Sequence, residues 1–341
     1  MEFKAHTRYS LTDRTFQNII KRDITRLAES LGFGETETGR INIIVSEMAS
    51  NLIKHDTVAG EFLVKPFGKF NIGLEIICLD QGPGMSEPLR MIEDGISTVG
   101  TAGEGLGAIK RLSDEFDLYS AKGVGTVIVS RVYRKGHKPK PTKLKKFDVG
   151  VVMVPKAGER HCGDSWALYE AIDYFYLLVA DGLGHGEHAE KASQEAVKCF
   201  LQNTNLPPSD LIRTLHGAIK KTRGAVGNVA TINVIDKKLT YCGVGNIAGR
   251  VITGPENNNS VISYNGILGH NIPNTLNNHM VPWQNNSLLV LHSDGLKSKW
   301  DFTRYKDLLR HDTSIIAAVL YKDFNRGTDD TLVLVARTRN Y

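Results

Sequence analysis

The sequence predicts an α+β protein of two domains: an α/β sandwich, then a β-sandwich flanked by helices. Three observations predict it. The 341 residues exceed one domain of ordinary size. The stretch "RKGHKPKPTKLKK" at 134–146 is basic, carries two prolines and lacks an apolar stripe, as an extended linker does. Before it, two helical patterns precede strands that hairpin together; after it, many short strands are interrupted by helices. The division is 1–135, a linker at 136–146, and 147–341.

"FKAHTRYSL" opens as a strand. Phe16, Ile19, Ile20, Ile24, Leu27 and Leu31 recur at helical spacing and predict a helix over 12–31. A second helix is expected over 36–55, strands near 61–65 and 70–79, a helix near 105–115, and a strand at 124–133. The second half predicts strands at 148–154, 166–169, 174–180, 229–235, 239–244, 248–253, 260–264, 287–292 and 331–337. Helices are expected at 187–203 and 208–223, with shorter ones at 303–310 and 312–322. Antiparallel strands with few helices suggest packed sheets with helices outside.

Composition narrows the classes. A net charge of +5, much of it in the linker, gives no reason to invoke nucleic acid. Cys78, Cys162, Cys199 and Cys242 are scattered without a CxxC pair, so a structural zinc site is not expected. No signal peptide and no membrane-spanning apolar run is visible, and a cytoplasmic location is the simplest expectation.

Three Asp-Gly or Asp-Gln-Gly corners end apolar runs: "EIICLDQGPGM", "YFYLLVADGLGHG" and "LLVLHSDGL". In the first half, Glu47 and Asn51 of "SEMASN" are four apart and share a helix face. An amide oxygen suits magnesium with attached phosphates, and a carboxylate can accept a hydroxyl proton. Asp80 ends a strand where an acid could receive an exocyclic amine, and Gly82 and Gly84 allow close backbone approach. Gly100, Gly103, Gly105 and Gly107 form a glycine-rich loop entering a helix whose N-terminus can face phosphate. Thr126 of "GVGT" begins the last strand. Taken singly, each piece also reads as a surface helix or a plain turn.

In order and spacing, these pieces resemble the GHKL (histidine-kinase-like) ATPase superfamily over 1–133, in its branch of anti-sigma and RsbT-type serine kinases. Glu47 and Asn51 match the N-box, "DQGPGM" the first glycine box, and "GEGLGAIKRLSDEFDLYS" with "GVGT" the second. The resemblance implies that Asp80 holds adenine, Thr126 supports it, Asn51 ligates magnesium and Glu47 activates the target hydroxyl. Gly105 and Gly107 would contact phosphate, with Gly82, Gly84, Gly103 and Leu106 completing the ATP site. "NLIKHD" follows the family only in part, so Lys54 and His55 receive no role.

The second half sets Asp164, Asp181, Asp294 and Asp329 at strand ends or adjoining loops. Gathered, four carboxylates repel one another unless cations neutralise them. Hard oxygen ligands select Mg2+ or Mn2+, and two such ions can activate a water toward phosphorus. Asp-Gly is also the commonest turn dipeptide, so one instance alone would mean little. "CGDS", "VADGLGHGEHAEKAS", "TRGAV", "CGVGNIAGR" and "SDG" resemble the metal-dependent (PPM-type) protein phosphatases, in their SpoIIE/RsbX branch, over 147–338. The resemblance implies a metal site of Asp164, Asp181, Asp294 and Asp329 with the Gly182 carbonyl; Asp330 is the lesser candidate of its pair. Asp181 and Asp294 stand at its catalytic centre. The arginine with which larger relatives hold phosphate has no clear counterpart, Lys156 and Arg160 being weak candidates. His185 and His188 belong to the phosphatase corner rather than to a zinc pair.

Together the resemblances imply a bifunctional switch enzyme. One half phosphorylates Ser or Thr on a STAS-domain partner of the anti-anti-sigma or stressosome type, using Mg-ATP. The other dephosphorylates the same or a related protein. A sigma factor or stressosome complex is a further partner, neither nucleic acid nor membrane is expected, and a homodimer is compatible. Two other readings stay open: a nucleotide-holding module that sequesters its partner, and a phosphatase regulated by nucleotide.

Overall fold

The computed structural model describes residues 4–11, 14–54, 60–68, 70–92, 105–138, 147–253, 258–285 and 287–338. They form two compact units. The first comprises 1–142 and 301–322, the second 143–300 and 323–341. Residues 139–146 of the expected linker lie outside the described residues.

The first unit runs β1 (Thr7–Leu11), α1 (Arg14–Ser30), α2 (Glu35–Lys54), β2 (Gly60–Phe67), β3 (Gly73–Asp80), α3 (Pro88–Met91), α4 (Gly105–Leu112), β4 (Glu115–Ala121) and β5 (Gly125–Tyr133). The strands form one antiparallel sheet in the order β1-β2-β3-β5-β4. Alternation gives each strand two faces. One carries Phe62, Val64, Leu74, Ile76, Cys78, Ile128 and Val132 and packs on Ile20, Ile24, Ile41, Ile44, Met48 and Ile109 of the helices. The strand β4 was not expected from the sequence; Leu118 and Ser120 face inward from a segment dense in acids.

The sheet's second face is buried too: Leu63, Ile77, Leu79, Val127 and Val129 are at most 4% exposed. Residues 311–322, far along the chain, lie on this face. His311 Nδ1 is 2.9 Å from Asp117 Oδ1, the Asp312 N–H donates to Asp117 Oδ2 at 2.6 Å, and Tyr321 Oη donates to Glu61 Oε2 at 3.4 Å. At its centre Arg131 donates from Nε to Glu75 (2.7 Å) and from both terminal nitrogens to Asp312 (2.9 and 3.0 Å), with a further bond to Ser314 Oγ (2.8 Å). Burial works against ionising Glu75, but Lys65 and Arg131 hold its carboxyl well below the usual range. Such a fork-to-fork pair is directional as well as strong.

The second unit contains β6 (Phe147–Val154), β7 (Asp164–Glu170), β8 (Tyr174–Gly182), α5 (Glu187–Gln202), α6 (Pro208–Ala218), β9 (Ala225–Asn233), β10 (Lys238–Val244), β11 (Ala248–Ile252), β12 (Asn258–Ser260), β13 (His279–Pro282), β14 (Leu288–His292) and β15 (Thr331–Thr338). They make two antiparallel five-stranded sheets, β13-β10-β9-β8-β7 and β12-β11-β14-β15-β6. Phe147 of one sheet stacks on Phe175 of the other at 4.3 Å, so their inner faces meet in one core. Helices α5 and α6 lie against the first of these sheets. The expected helix at 303–310 is reduced to one 3-10 turn, Leu308–Arg310, entered through Asp307 in the left-handed region. The strand expected at 260–264 is displaced to β12, and β13 was not expected. Helix α7 (Thr313–Phe324) follows; its residues 313–322 belong to the first unit and are all buried.

Removing one member of a buried ion pair leaves its partner charged in a poor solvent. Arg131→Met is therefore expected to destabilise the first unit by about 3 kcal/mol, read as a lower denaturation midpoint. Asp312→Ala should cost less, because its side chain is 30% exposed. A wild-type midpoint for Arg131→Met would contradict this account.

Candidate functional site

The first candidate site lies where β3, β5, α2 and α4 meet. Asp80 closes β3 opposite Thr126 of β5 and Gly60 of β2. Its Oδ1 accepts from the Gly82 N–H at 2.7 Å and the Thr126 N–H at 3.2 Å. Burial pushes its carboxyl up, opposed by those N–H groups and by the charge of Lys322. Two glycines allow this corner. A Cβ on Gly84 (φ +69°) would sit 2.0 Å from the Ala121 carbonyl oxygen, and one on Gly125 (φ +90°) 2.2 Å from that of Asp80. Ser120 Oγ lies 3.0 Å from Thr126 Oγ1 and accepts from the Met85 N–H at 2.8 Å, tying both ends of the corner to β4.

Glu47 and Asn51 are half-buried on α2, beside core residues Met48 and Leu52. The first residue of α4 comes against them. A Cβ on Gly105 would meet Glu47 Oε2 at 2.8 Å and Asn51 Oδ1 at 3.6 Å. The structure thus brings the helix pair, the Gly105–Gly107 helix entry and the Asp80–Thr126 corner into one unit. Leu106 is half-buried and Gly107 buried on α4, while Gly103 and His55 lie outside the described residues. One neighbour had no signal in the sequence. Lys322 Nζ donates to the Val124 carbonyl at 2.6 Å, and the Lys322 carbonyl accepts from Gln81 Nε2 at 3.4 Å.

The second candidate site occupies one end of the two sheets. Asp164 begins β7 directly across from Asp181 near the end of β8. A cavity of about 380 Å3 is lined by Asp181, Asp294 and Asp329, with Asn246 and Asn265 among its polar walls. Asp164 lies behind it, 1% exposed. Its Oδ2 accepts from Ser293 Oγ at 2.7 Å, whereas its Oδ1 is buried with no hydrogen-bond partner. Burial, then the charge of Asp181, pushes the Asp164 carboxyl well above its usual range. Burial, then Asp294 and Asp329, does the same to Asp181. Asp294 Oδ2 accepts from Asn246 Nδ2 at 2.8 Å.

Asp329 and Asp330 differ in kind. Asp330 accepts from the Lys156 N–H (2.8 Å) and the Gly163 N–H (2.9 Å), so its oxygens are committed to the fold. Asp329 borders the cavity. Gly182 passes so close to α5 that a Cβ would lie 2.0 Å from the Ala189 carbonyl oxygen. His185 Nδ1 is 2.7 Å from Glu159 Oε1, an exposed pair. Among the described residues no three His, Cys, Asp or Glu side chains are already drawn into a closed ligand set. The carboxylates stand instead around an open cleft. An orphaned buried carboxylate oxygen, mutual repulsion and an all-oxygen donor set fit hard divalent cations.

The folds and sites define a two-domain protein, ATPase-like in its first part and phosphatase-like in its second. The histidine kinase-like ATPase domain model matches residues 12–131, and the stage II sporulation protein E (SpoIIE) model matches 173–339. The serine/threonine-protein kinase RsbT of Bacillus subtilis (strain 168) is 40% identical over 102 residues, 30% of this chain and 77% of RsbT. The phosphoserine phosphatase RsbX of the same organism is 30% identical over 149 residues, 43% of this chain and 73% of RsbX. A solved structure of the bacterial stressosome, described as a modular system adapted to control secondary messenger signalling, matches with 26% identity and a TM-score of 0.52, covering 57% of this chain and all of that one. The chain belongs to the histidine kinase-like ATPase family through its first part and to the SpoIIE phosphatase family through its second. Asp164 precedes the SpoIIE match, so its place in the site rests on the pairing with Asp181.

Because the Asp164 and Asp181 pKa values are raised in the fold, the native state binds more protons than the unfolded chain above the ordinary aspartate range. The metal-free stability of the second unit therefore falls as pH rises through that window. In EDTA, the melting temperature of this unit should rise as pH is lowered from about 7 to about 5, and Mg2+ or Mn2+ should flatten the dependence. Asp181→Asn should stabilise the metal-free protein and lose the stabilisation by metal. A metal-induced shift of wild-type size in that variant would contradict the arrangement.

Proposed function

We propose that the chain is a cytoplasmic switch enzyme of two opposed activities. Its first unit transfers the γ-phosphate of Mg-ATP to a Ser or Thr of a STAS-domain partner. Its second hydrolyses the phosphoester of the same or a related protein in a two-metal site. The observation that carries the reading is the coexistence of two full constellations in one chain: Glu47, Asn51, Gly105 and Asp80 in one unit, Asp164, Asp181, Asp294 and Asp329 in the other. Relatives named a kinase and a phosphatase, and a neighbour named for the stressosome, support the pairing and the partner class.

In the first unit, Asp80 would receive the adenine amine, with Thr126, Gly82 and Gly84 shaping the pocket. Asn51 would ligate magnesium, and the N-terminal N–H groups of α4 would face the phosphates. Glu47, beside Gly105, would take the proton of the attacking hydroxyl. In the second unit, Asp164, Asp181, Asp294, Asp329 and the Gly182 carbonyl would hold Mg2+ or Mn2+. Bound there, such ions polarise a phosphoester and lower the pKa of water. Asn246 orients Asp294, and Ser293 orients Asp164.

Labelled ATP and purified STAS-domain proteins test the kinase. Asn51→Ala should weaken Mg-ATP binding. Glu47→Ala should bind ATP as wild type does and slow transfer by about 100-fold or more. Transfer at the wild-type rate by Glu47→Ala would refute its role as base.

One observation favours a second reading, a phosphatase regulated by nucleotide. The chain between Asp294 and Asp329 contributes residues 301–322 to the unit that holds Asp80, and Lys322 is a charged neighbour of Asp80 there. Under this reading, a non-hydrolysable ATP analogue changes the rate of phosphoprotein hydrolysis, and Lys322→Met removes the response. An unchanged rate at saturating analogue leaves the bifunctional reading alone.

A further inference from the structure

The sequence offered no convincing residue to hold the substrate's phosphate. No lysine or arginine is among the described residues that line the acidic cavity, but the Arg223 guanidinium lies against one of them, Gly184. We infer that Arg223 is the residue that grips the phosphate of the substrate. The inference rests on the phosphatase reading and deepens it.

The guanidinium of Arg223 lies against Gly184, where a Cβ would meet Nη1 at 3.2 Å. Gly184 is itself part of the cavity wall, as are its near neighbours Leu183 and Asp181. Any side chain at position 184 would crowd the guanidinium, and its φ of +86° disfavours one in any case.

The backbone beneath Arg223 is held from both sides. The Leu183 N–H donates to the Gly224 carbonyl at 3.0 Å. His270 Nε2 is 2.8 Å from the Arg223 carbonyl oxygen, Thr222 Oγ1 accepts from the Gly224 N–H at 3.1 Å, and Ala225 pairs with Leu268. A Cβ on Gly224 would lie 2.5 Å from the His270 ring. The loop is therefore locked while the side chain it carries is exposed. A fixed base with a projecting fork is preorganised for an anion.

Charge decides the ligand. No hydrogen bond or ion pair engages the Arg223 guanidinium among the described residues, although three carboxylates line the neighbouring cavity. Once divalent cations neutralise those carboxylates, Arg223 is left to bind an incoming dianion. A planar guanidinium matches two phosphate oxygens at once, which an ammonium does not.

The test uses the full chain loaded with Mn2+. Inorganic phosphate binding is measured by calorimetry, with p-nitrophenyl phosphate kinetics in parallel. Arg223→Ala should weaken phosphate binding and raise KM by about 10- to 100-fold, the range for a hydrogen bond to a charged group. Its kcat should change less and its Mn2+ affinity not at all. Arg223→Lys should recover part of the loss. Phosphate affinity equal to wild type in Arg223→Ala overturns the inference. So does a parallel loss of Mn2+ affinity, which would make Arg223 a support of the metal cradle. If wild type binds phosphate but hydrolyses nothing, the phosphatase reading fails, while the calorimetric comparison still decides the role of Arg223.

Discussion

The repulsion among carboxylates at the end of the second unit governs much of its architecture. Cross-strand pairing puts Asp164 and Asp181 directly opposite each other, where like charges destabilise a sheet. The cost is met by building everything else around them firmly. Ser293 donates to Asp164 while its oxygen accepts from the Leu332 N–H at 2.9 Å. Asp330 spends both oxygens on the backbone of 156 and 163, fixing the strand ends that carry Asp164. Gly163 and Gly182 meet through the Gly182 N–H and the Gly163 carbonyl at 3.0 Å. Such a frame keeps carboxylates where they would not otherwise stay, which is the preorganisation that the proposed cations require.

The first unit handles buried charge in the opposite way, by neutralising it within the protein. Glu75 has Lys65 and Arg131 within salt-bridge distance, and Arg131 in turn is shared with Asp312 and Glu115. No cation need be added. Burying such a cluster contributes little net stability but selects one arrangement of the surrounding groups, here the register of 311–322 on the sheet. The contrast between the units is instructive. A carboxylate with two cations beside it, as at Glu75, reads as structural, and one paired across the sheet with another carboxylate, as at Asp164, reads as a site.

Sequence made the corners legible and left the context illegible. Asp80, Asp181 and Asp294 were visible because each ends an apolar run at a glycine-rich turn, and those local features survive in the fold. The helix pair Glu47–Asn51 was visible through its spacing. The strand β4 was missed because acids at 114, 115 and 117 mask its alternation, and β13 because it is short, buries no residue fully and ends on a proline. The short helix at 303–310 failed because its central turn is entered through a left-handed Asp307. Placement of 301–322 in the first unit could not be read at all. It depends on pairs such as Arg131–Asp312, separated by 181 residues, and a single aspartate carries no mark of so distant a partner. Arg223 escaped for a similar reason, since its meaning lies in the approach of Gly184.

The excursion of 301–322 leaves and re-enters the second unit through a closed neck. The Lys297 N–H donates to the Phe324 carbonyl at 2.9 Å, and the Arg326 N–H to the Gly295 carbonyl at 2.8 Å. Leu296 and Asn325 form a bridge, and a Cβ on Gly295 would lie 2.0 Å from the Asp330 carbonyl oxygen. The neck ties the residue after Asp294 to the loop that bears Asp329, which fixes the spacing of these two carboxylates. Hydrogen bonds of this kind contribute about 1 kcal/mol each, and this pair closes the base of the excursion inside the second unit.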